Sequence, residues 1–143
     1  MARCLIIEDS AAIRAIAARL VTELGLEAVE ASSAEEAMAF YKEITPDVVM
    51  LDWDLPSVGA VDFLKAVAPL REDGKPAIIL CATENDPQQF ALARAAGANE
   101  VLLKPFDKFS VAQLFIELGL SAPAPAKPRR RRKKVASAGG GDS

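Results

Sequence analysis

Residues 48–56 read Val48-Val49-Met50-Leu51-Asp52-Trp53-Asp54-Leu55-Pro56. Four apolar residues in a row are too few for a helix, and they lack the polar alternation of a half-exposed strand. They predict a strand covered on both faces. The run closes on Asp52, and a loop follows to about Gly59. The same signal returns on either side. Arg3-Cys4-Leu5-Ile6-Ile7 precedes Glu8-Asp9. A brief run lies at residues 28–31. Pro76 introduces residues 77–81, and Val101-Leu102-Leu103 precedes Lys104-Pro105.

Helical spacing fills the gaps between these runs. Ile13, Ile16, Ala17, Leu20, Val21 and Leu24 share one face, with Ser10 placed to cap the start and Gly25 to close the end. Ser33 and Glu36 form a capping-box pattern ahead of Ala37, Met38 and Tyr41. Val61, Leu64 and Val67 mark a third helix. Asp86-Pro87 starts a fourth that Gly97 stops, and the last spans residues 110–118 before Gly119. Five strands alternating with five helices predict an α/β fold. Its form is a doubly wound, five-stranded parallel sheet with right-handed crossovers.

Composition narrows the chemistry. The 143 residues suffice for one domain with a real core, and they contain no histidine. Ser-His-Asp and Cys-His catalysis, zinc-histidine sites and phosphohistidine on this chain are thereby excluded. Cys4 and Cys81 each fall within an apolar run and read as small buried residues in a reducing compartment. No apolar stretch approaches the roughly 20 residues of a membrane span, and acids interrupt the N-terminus too early for a signal peptide. A cytoplasmic protein is expected.

The formal net charge of −3 divides unevenly. Residues 1–120 carry 10 Lys+Arg against 19 Asp+Glu, whereas residues 121–143 carry seven basic residues and one acid. An acidic domain at 1–120 is therefore followed by a basic tail at 121–143, SAPAPAKPRRRRKKVASAGGGDS. Rich in Pro, Ala, Ser and Gly, the tail has too little apolar surface to offset its ordering entropy. It is expected to be flexible when free, with Pro123, Pro125 and Pro128 extending its first part.

In open parallel sheets, ligands bind beyond the carboxyl ends of the strands. Glu8-Asp9, Asp52 with Asp54, Thr83, and Lys104 follow four of the strands here. Taken singly, each has a plainer reading: a solvated acidic loop, a helix cap, a Lys-Pro turn. Their joint placement is harder to dismiss. Crowded carboxylates repel unless a cation intervenes, and hard oxygen donors suit Mg²⁺. Such an ion neutralises charge on a transferred phosphoryl group, Lys104 adds a positive contact, and Asp52 is the candidate nucleophile for an aspartyl phosphate.

Ile7-Glu8-Asp9-Ser10, Leu51-Asp52-Trp53-Asp54-Leu55-Pro56, Thr83, Gly97-Ala98 and Lys104-Pro105-Phe106 resemble the motifs of CheY-like response regulator receiver domains over about residues 1–120. The resemblance implies a flavodoxin-like fold and phosphorylation of Asp52 by a partner histidine kinase. It implies that Asp9 binds Mg²⁺ directly and Glu8 through water, with the Asp54 carbonyl as a further ligand. It also implies a phosphoryl contact from Lys104, a cis Lys104-Pro105 bond, and output through the fourth helix, fifth strand and fifth helix. The chain would be a phosphoacceptor rather than an enzyme, with autodephosphorylation at most. Two positions depart from the family. Counting back from Gly97 with the usual spacing puts the hydroxyl that ends strand four on Ala82. A loop one residue shorter puts it on Thr83. The aromatic position, three before Lys104, is Val101. The hydroxyl-aromatic toggle is thus impaired or missing.

The tail offers a second lead. It reads as a solvated appendage, as a nucleic-acid arm, as a membrane-surface patch, or as a site for a small anionic nucleotide. It lacks aromatics for base stacking and an apolar anchor for a membrane, so nucleic acid and membrane are the weaker partners. Arginine forks pair with phosphate and with guanine's O6/N7 edge. The whole chain is similar to CheY-like single-domain proteins with an arginine-rich C-terminal segment that bind cyclic di-GMP. That resemblance implies Arg129, Arg130, Arg131 and Arg132 as ligand contacts. It also implies output on the flagellar motor switch, on motility or on surface attachment, with recruitment to the flagellar pole. The alternatives are a plain chemotaxis or phosphorelay receiver with an incidental tail, and a nucleic-acid-associated protein.

Overall fold

Each apolar run becomes a strand and each helically spaced segment a helix. In chain order they are β1 (Arg3–Ile7), α1 (Ala11–Glu23), β2 (Glu27–Ala31), α2 (Ala34–Ile44), β3 (Val48–Asp52), α3 (Gly59–Val67), a single 3-10 turn (Ala68–Leu70), β4 (Ala77–Ala82), α4 (Pro87–Ala95), β5 (Glu100–Leu103) and α5 (Lys108–Glu117). The structure, a computed structural model, describes residues 2–56 and 59–120. Arg129–132 and the rest of the tail lie outside the described residues.

All the strand pairs are parallel, in the order β2-β1-β3-β4-β5. The chain leaves β1 toward one edge through β2 and returns to build the other through β3, so the direction of winding reverses between β1 and β3. Sheets of this kind bind ligands at that reversal. Glu8 follows β1 and Asp52 ends β3, so both acids stand there.

Side chains alternate across the sheet with period two. Leu5, Ile7, Val49, Leu51, Ile78 and Leu80 pack with Ala37, Phe63, Leu64 and Phe90 of α2, α3 and α4. Cys4, Ile6, Val48, Met50, Ile79 and Cys81 pack with Ala17, Val21, Val111 and Phe115 of α1 and α5. Burial on both faces is why these runs are continuously apolar.

Three local expectations shift. β4 extends one residue further, to Ala82, because Lys104 N–H bonds Ala82 O at 2.8 Å and continues the pairing with β5. α5 begins before Ser110: the Asp107 carboxylate caps it by accepting from Ser110 N–H at 2.8 Å, and Ser110 becomes the third helical residue of a capping box. At α2, Ser33 Oγ accepts from Glu36 N–H as expected, but the Glu36 carboxylate accepts from Ser32 N–H instead of closing on Ser33.

A polar tie holds the edge opposite Glu8 and Asp52. The Arg71 guanidinium donates to Gly97 O at 2.6 Å, Asn99 Oδ1 at 2.8 Å and Gly74 O at 3.1 Å. Asn99 Oδ1 also accepts from Ile78 N–H at 2.7 Å. Gly97 has φ +117, and a Cβ there would lie 2.9 Å from Arg71 Nη1, so both backbone shape and space demand glycine.

Burial pushes the Cys4 thiol well above its ordinary range and the Cys81 thiol up to about 12, with the charge of Lys104 opposing the rise at Cys81. Both are free. An aromatic disulfide reagent at mildly alkaline pH should therefore find neither thiol in the native protein and both after denaturation. Rapid labelling of the folded chain would contradict this packing.

Candidate functional site

β1 and β3 end side by side, with Ile7 in register with Leu51, which delivers Glu8 and Asp52 to one edge. Ser10 opens α1 by accepting from Ile13 N–H, and its own N–H donates to Glu8 Oε2 at 3.2 Å. Arg14, in the first turn of α1, donates to the Glu8 carbonyl at 2.8 Å and pairs with Glu30 at 3.3 Å. The exit of β1 is thus held by backbone and side chain together. Arg14 had no signal in the sequence beyond being a lone basic residue on a helix.

Lys104, directly after β5, reaches across to both acids. Its Nζ donates to Glu8 Oε1 at 2.8 Å and to Asp52 Oδ1 at 2.9 Å. The contacts are nearly dry: Asp52 is 2% exposed and Glu8 5%. Asp52 Oδ1 also accepts from Asp54 N–H at 2.9 Å. The following Lys104-Pro105 peptide is cis.

Asp9 is exposed at the rim, and one carboxylate oxygen from each of Glu8, Asp9 and Asp52 lies within 4.8 Å of the others. Three hard oxygen donors at this spacing, with one ammonium against three carboxylates, fit a small divalent cation that keeps several waters. The electrostatics agree. Burial raises the Asp52 pKa, and the nearby Glu8 adds to the rise against the hydrogen bonds from Lys104 and Asp54. Burial alone would lower Lys104, but its bonds to Glu8 and Asp52 together outweigh it and raise the ammonium's pKa.

The structure thus brings Glu8, Asp9, Asp52 and Lys104 together, with Asp54 adjoining through its backbone. It places Thr83 differently. The last residue of β4 is Ala82, buried at the level of Lys104. Thr83 lies one residue past the strand, exposed, and its hydroxyl donates to Asp54 Oδ2 at 3.1 Å. No hydrogen bond joins it to Asp52 or Lys104 among the described residues. Of the two positions that the spacing left open, it is therefore Ala82 that ends the strand, and Thr83 contacts Asp54 instead. Val101 is half-buried in β5 against the α2–α4 side of the core.

Residues 4–115 match the family described as the response regulator receiver domain. The chain belongs to this family. It is similar to the chemotaxis protein CheY of Thermotoga maritima, 32% identical over 112 residues, 78% of this chain and 92% of that protein. CheY of Bacillus subtilis is 31% identical over 105 residues, 73% of this chain and 86% of that protein. Among solved structures, the chemotaxis protein CheY4 of Vibrio cholerae matches with a TM-score of 0.77 and 27% identity, covering 82% of this chain and 98% of that one. The described part of the chain is a CheY-like receiver domain of two-component signalling. Receiver domains bind Mg²⁺ at an acidic pocket, and Glu8, Asp9 and Asp52 form one here. They work with histidine kinases and chemotaxis signalling proteins. Among the described residues no helix is long and apolar enough to cross a membrane.

The raised pKa of Asp52 has a consequence for stability. Its folded value exceeds its unfolded value of about 3.9. The stability it contributes is therefore complete below the unfolded value and is lost as pH rises through the folded one. Asp52→Asn removes that loss and leaves Lys104 paired with Glu8. In metal-free buffer the variant should melt above the wild type at mildly alkaline pH, with the gap closing as pH falls toward about 4. A variant that melts lower throughout would contradict the excess of negative charge.

Proposed function

We propose that Asp52 accepts a phosphoryl group from a phosphohistidine on a partner kinase. The chain itself has no histidine, so the donor comes from elsewhere. The carrying observation is the shared ammonium: Lys104 Nζ bonds Glu8 and Asp52 at 2.8 and 2.9 Å, with Asp9 completing the acidic group. With Lys104 and Asp54 N–H both on Oδ1, Asp52 turns its other oxygen to the phosphorus. A P–O bond forms as the P–N bond of the donor breaks, and the freed imidazole keeps the electron pair and takes up a proton. Lys104 holds the carboxylate in place and faces the incoming negative charge. Asp9, Glu8, Asp52 and the Asp54 carbonyl are the groups that would hold Mg²⁺, and when bound that ion supplies charge neutralisation at the phosphoryl oxygens. Acetyl phosphate with Mg²⁺ should add one phosphate to the wild type and none to Asp52→Asn, read by intact mass. EDTA should suppress the labelling, and equal labelling of the variant would dismiss Asp52.

The readout differs from the family pattern. Ala82 has no hydroxyl to follow a phosphoryl oxygen, and Val101 has no ring to turn. This supports control by a second input, and the tail's composition supports an anionic one. In this reading Arg129, Arg130, Arg131 and Arg132 bind cyclic di-GMP, through forks on its phosphates and guanine edges. The chain then acts as a signalling adaptor on the flagellar motor switch, motility or surface attachment. Calorimetry with cyclic di-GMP should show binding to the full chain and none once the four arginines are changed to serine. No binding by the intact chain would leave a plain chemotaxis or phosphorelay receiver. Steeply salt-dependent affinity for random duplex would favour the nucleic-acid reading instead.

A further inference from the structure

Beside Asp52, where β3 and β4 end and α4 begins, lies a cavity of about 280 Å³. Trp53, Ala82 and Phe90 supply its apolar lining, and Asp54, Glu84 and Asp86 its charge. Alanine at 82 leaves space that a larger side chain would take. Every ionisable group lining the recess is an acid, and none of the three forms an ion pair among the described residues. Asp54 Oδ2 accepts from Thr83, and Asp86 Oδ1 caps α4 through Gln88 and Gln89 N–H.

Carboxylates at the rim beside the half-buried ring of Trp53 suit a flat, weakly hydrated cation. A guanidinium stacks on such rings and bonds carboxylates through its edges. This chain carries such side chains in one place: residues 129–134 are four arginines and two lysines. They can also reach. α5 brings the chain back toward the opposite edge of the sheet, its nine steps from Lys108 to Glu117 descending about 14 Å at helical rise. The nine steps from Leu120 to Arg129 extend to about 30 Å, and Arg132 reaches about 10 Å further. That covers the climb and the passage around the β5 edge.

We infer that the arginine-rich segment of residues 129–132 docks intramolecularly into the recess formed by Trp53, Ala82, Phe90, Asp54, Glu84 and Asp86. Tethering sets an effective concentration on the order of millimolar, so contacts that are individually weak are populated together. Any anion that claims the arginines competes with the recess for the same groups, and by linkage the recess weakens that anion's binding. The inference uses the charge and reach of the tail and does not depend on which anion it binds.

Trp53 is the sole tryptophan, and it lines the recess. Acrylamide is uncharged, so its quenching of Trp53 reports cover rather than local potential. In the full chain at low salt, the quenching constant should be about half that of a full-length variant with the four arginines changed to serine. Glu84→Lys, at an exposed position outside the acceptor cluster, should raise quenching to the same level while its melting curve stays that of the wild type. At about 1 M salt, where the screening length falls to about 3 Å, the three proteins should converge. Equal quenching of all three at low salt would overturn the docking. So would a rise in the arginine variant without one in Glu84→Lys, which would place the tail elsewhere. Protection that grows with protein concentration would assign the recess to a second copy and overturn it too.

Discussion

Glu8 and Asp52, both nearly out of contact with water, share one ammonium. Lys104 joins them from 96 and 52 residues away along the chain, and the parallel sheet is what brings the three together. Stripping two carboxylates of water is costly, and a single cation between them offsets only part of that cost. With Asp9 at the rim, three acids face one base. The result is a pocket that folds yet stays electrostatically incomplete. The missing positive charge suits the divalent ion that receiver domains bind at such an acidic pocket. Replacing a buried ion cluster by apolar side chains is often neutral or stabilising, so folding alone gives no reason for this one.

Much of this was legible in the sequence for identifiable reasons. Strands buried on both faces are continuously apolar, so Val48-Val49-Met50-Leu51 announced itself, as did the run before Glu8. Parallel topology sends the ends of such strands to one edge. Residues as distant as Asp9, Asp52 and Lys104 could therefore be assigned to one neighbourhood before any contact was seen. What stayed hidden depended on single-residue register. Ala82 is both apolar enough to end a strand and small enough to begin a loop. Only its pairing with β5 shows that Thr83 falls outside. At α5, Asp107 and Ser110 are both good capping residues, and the chain uses them as two halves of one box. The hydrogen bonds of Arg14 and Arg71 to backbone carbonyls had no pattern to betray them, since a guanidinium reaching across loops leaves no periodicity.

The departures cluster on one side of the pocket. Asp52, Lys104 and their supports keep the arrangement that a phosphoacceptor needs, whereas the groups that would read the event are reduced to a methyl at Ala82 and a short aliphatic chain at Val101. The place where a hydroxyl would have stood contributes instead to a recess bounded by rings and acids. An acidic domain and a basic tail on one chain give that recess a natural counterpart. In the reading proposed above, chemistry and readout are separable: one depends on the ammonium between two carboxylates, the other on charge carried outside the sheet.

The tie made by Arg71 bears on α4. It fastens the turn after the helix, through Gly97 and Asn99, to the segment ahead of β4 and to Ile78 within it. The opposite end of α4 begins in an exposed loop and is secured by the Asp86 cap. The end of α4 nearer Asp52 is thus held by a single carboxylate cap, and the far end by a guanidinium that also braces the turn before β5.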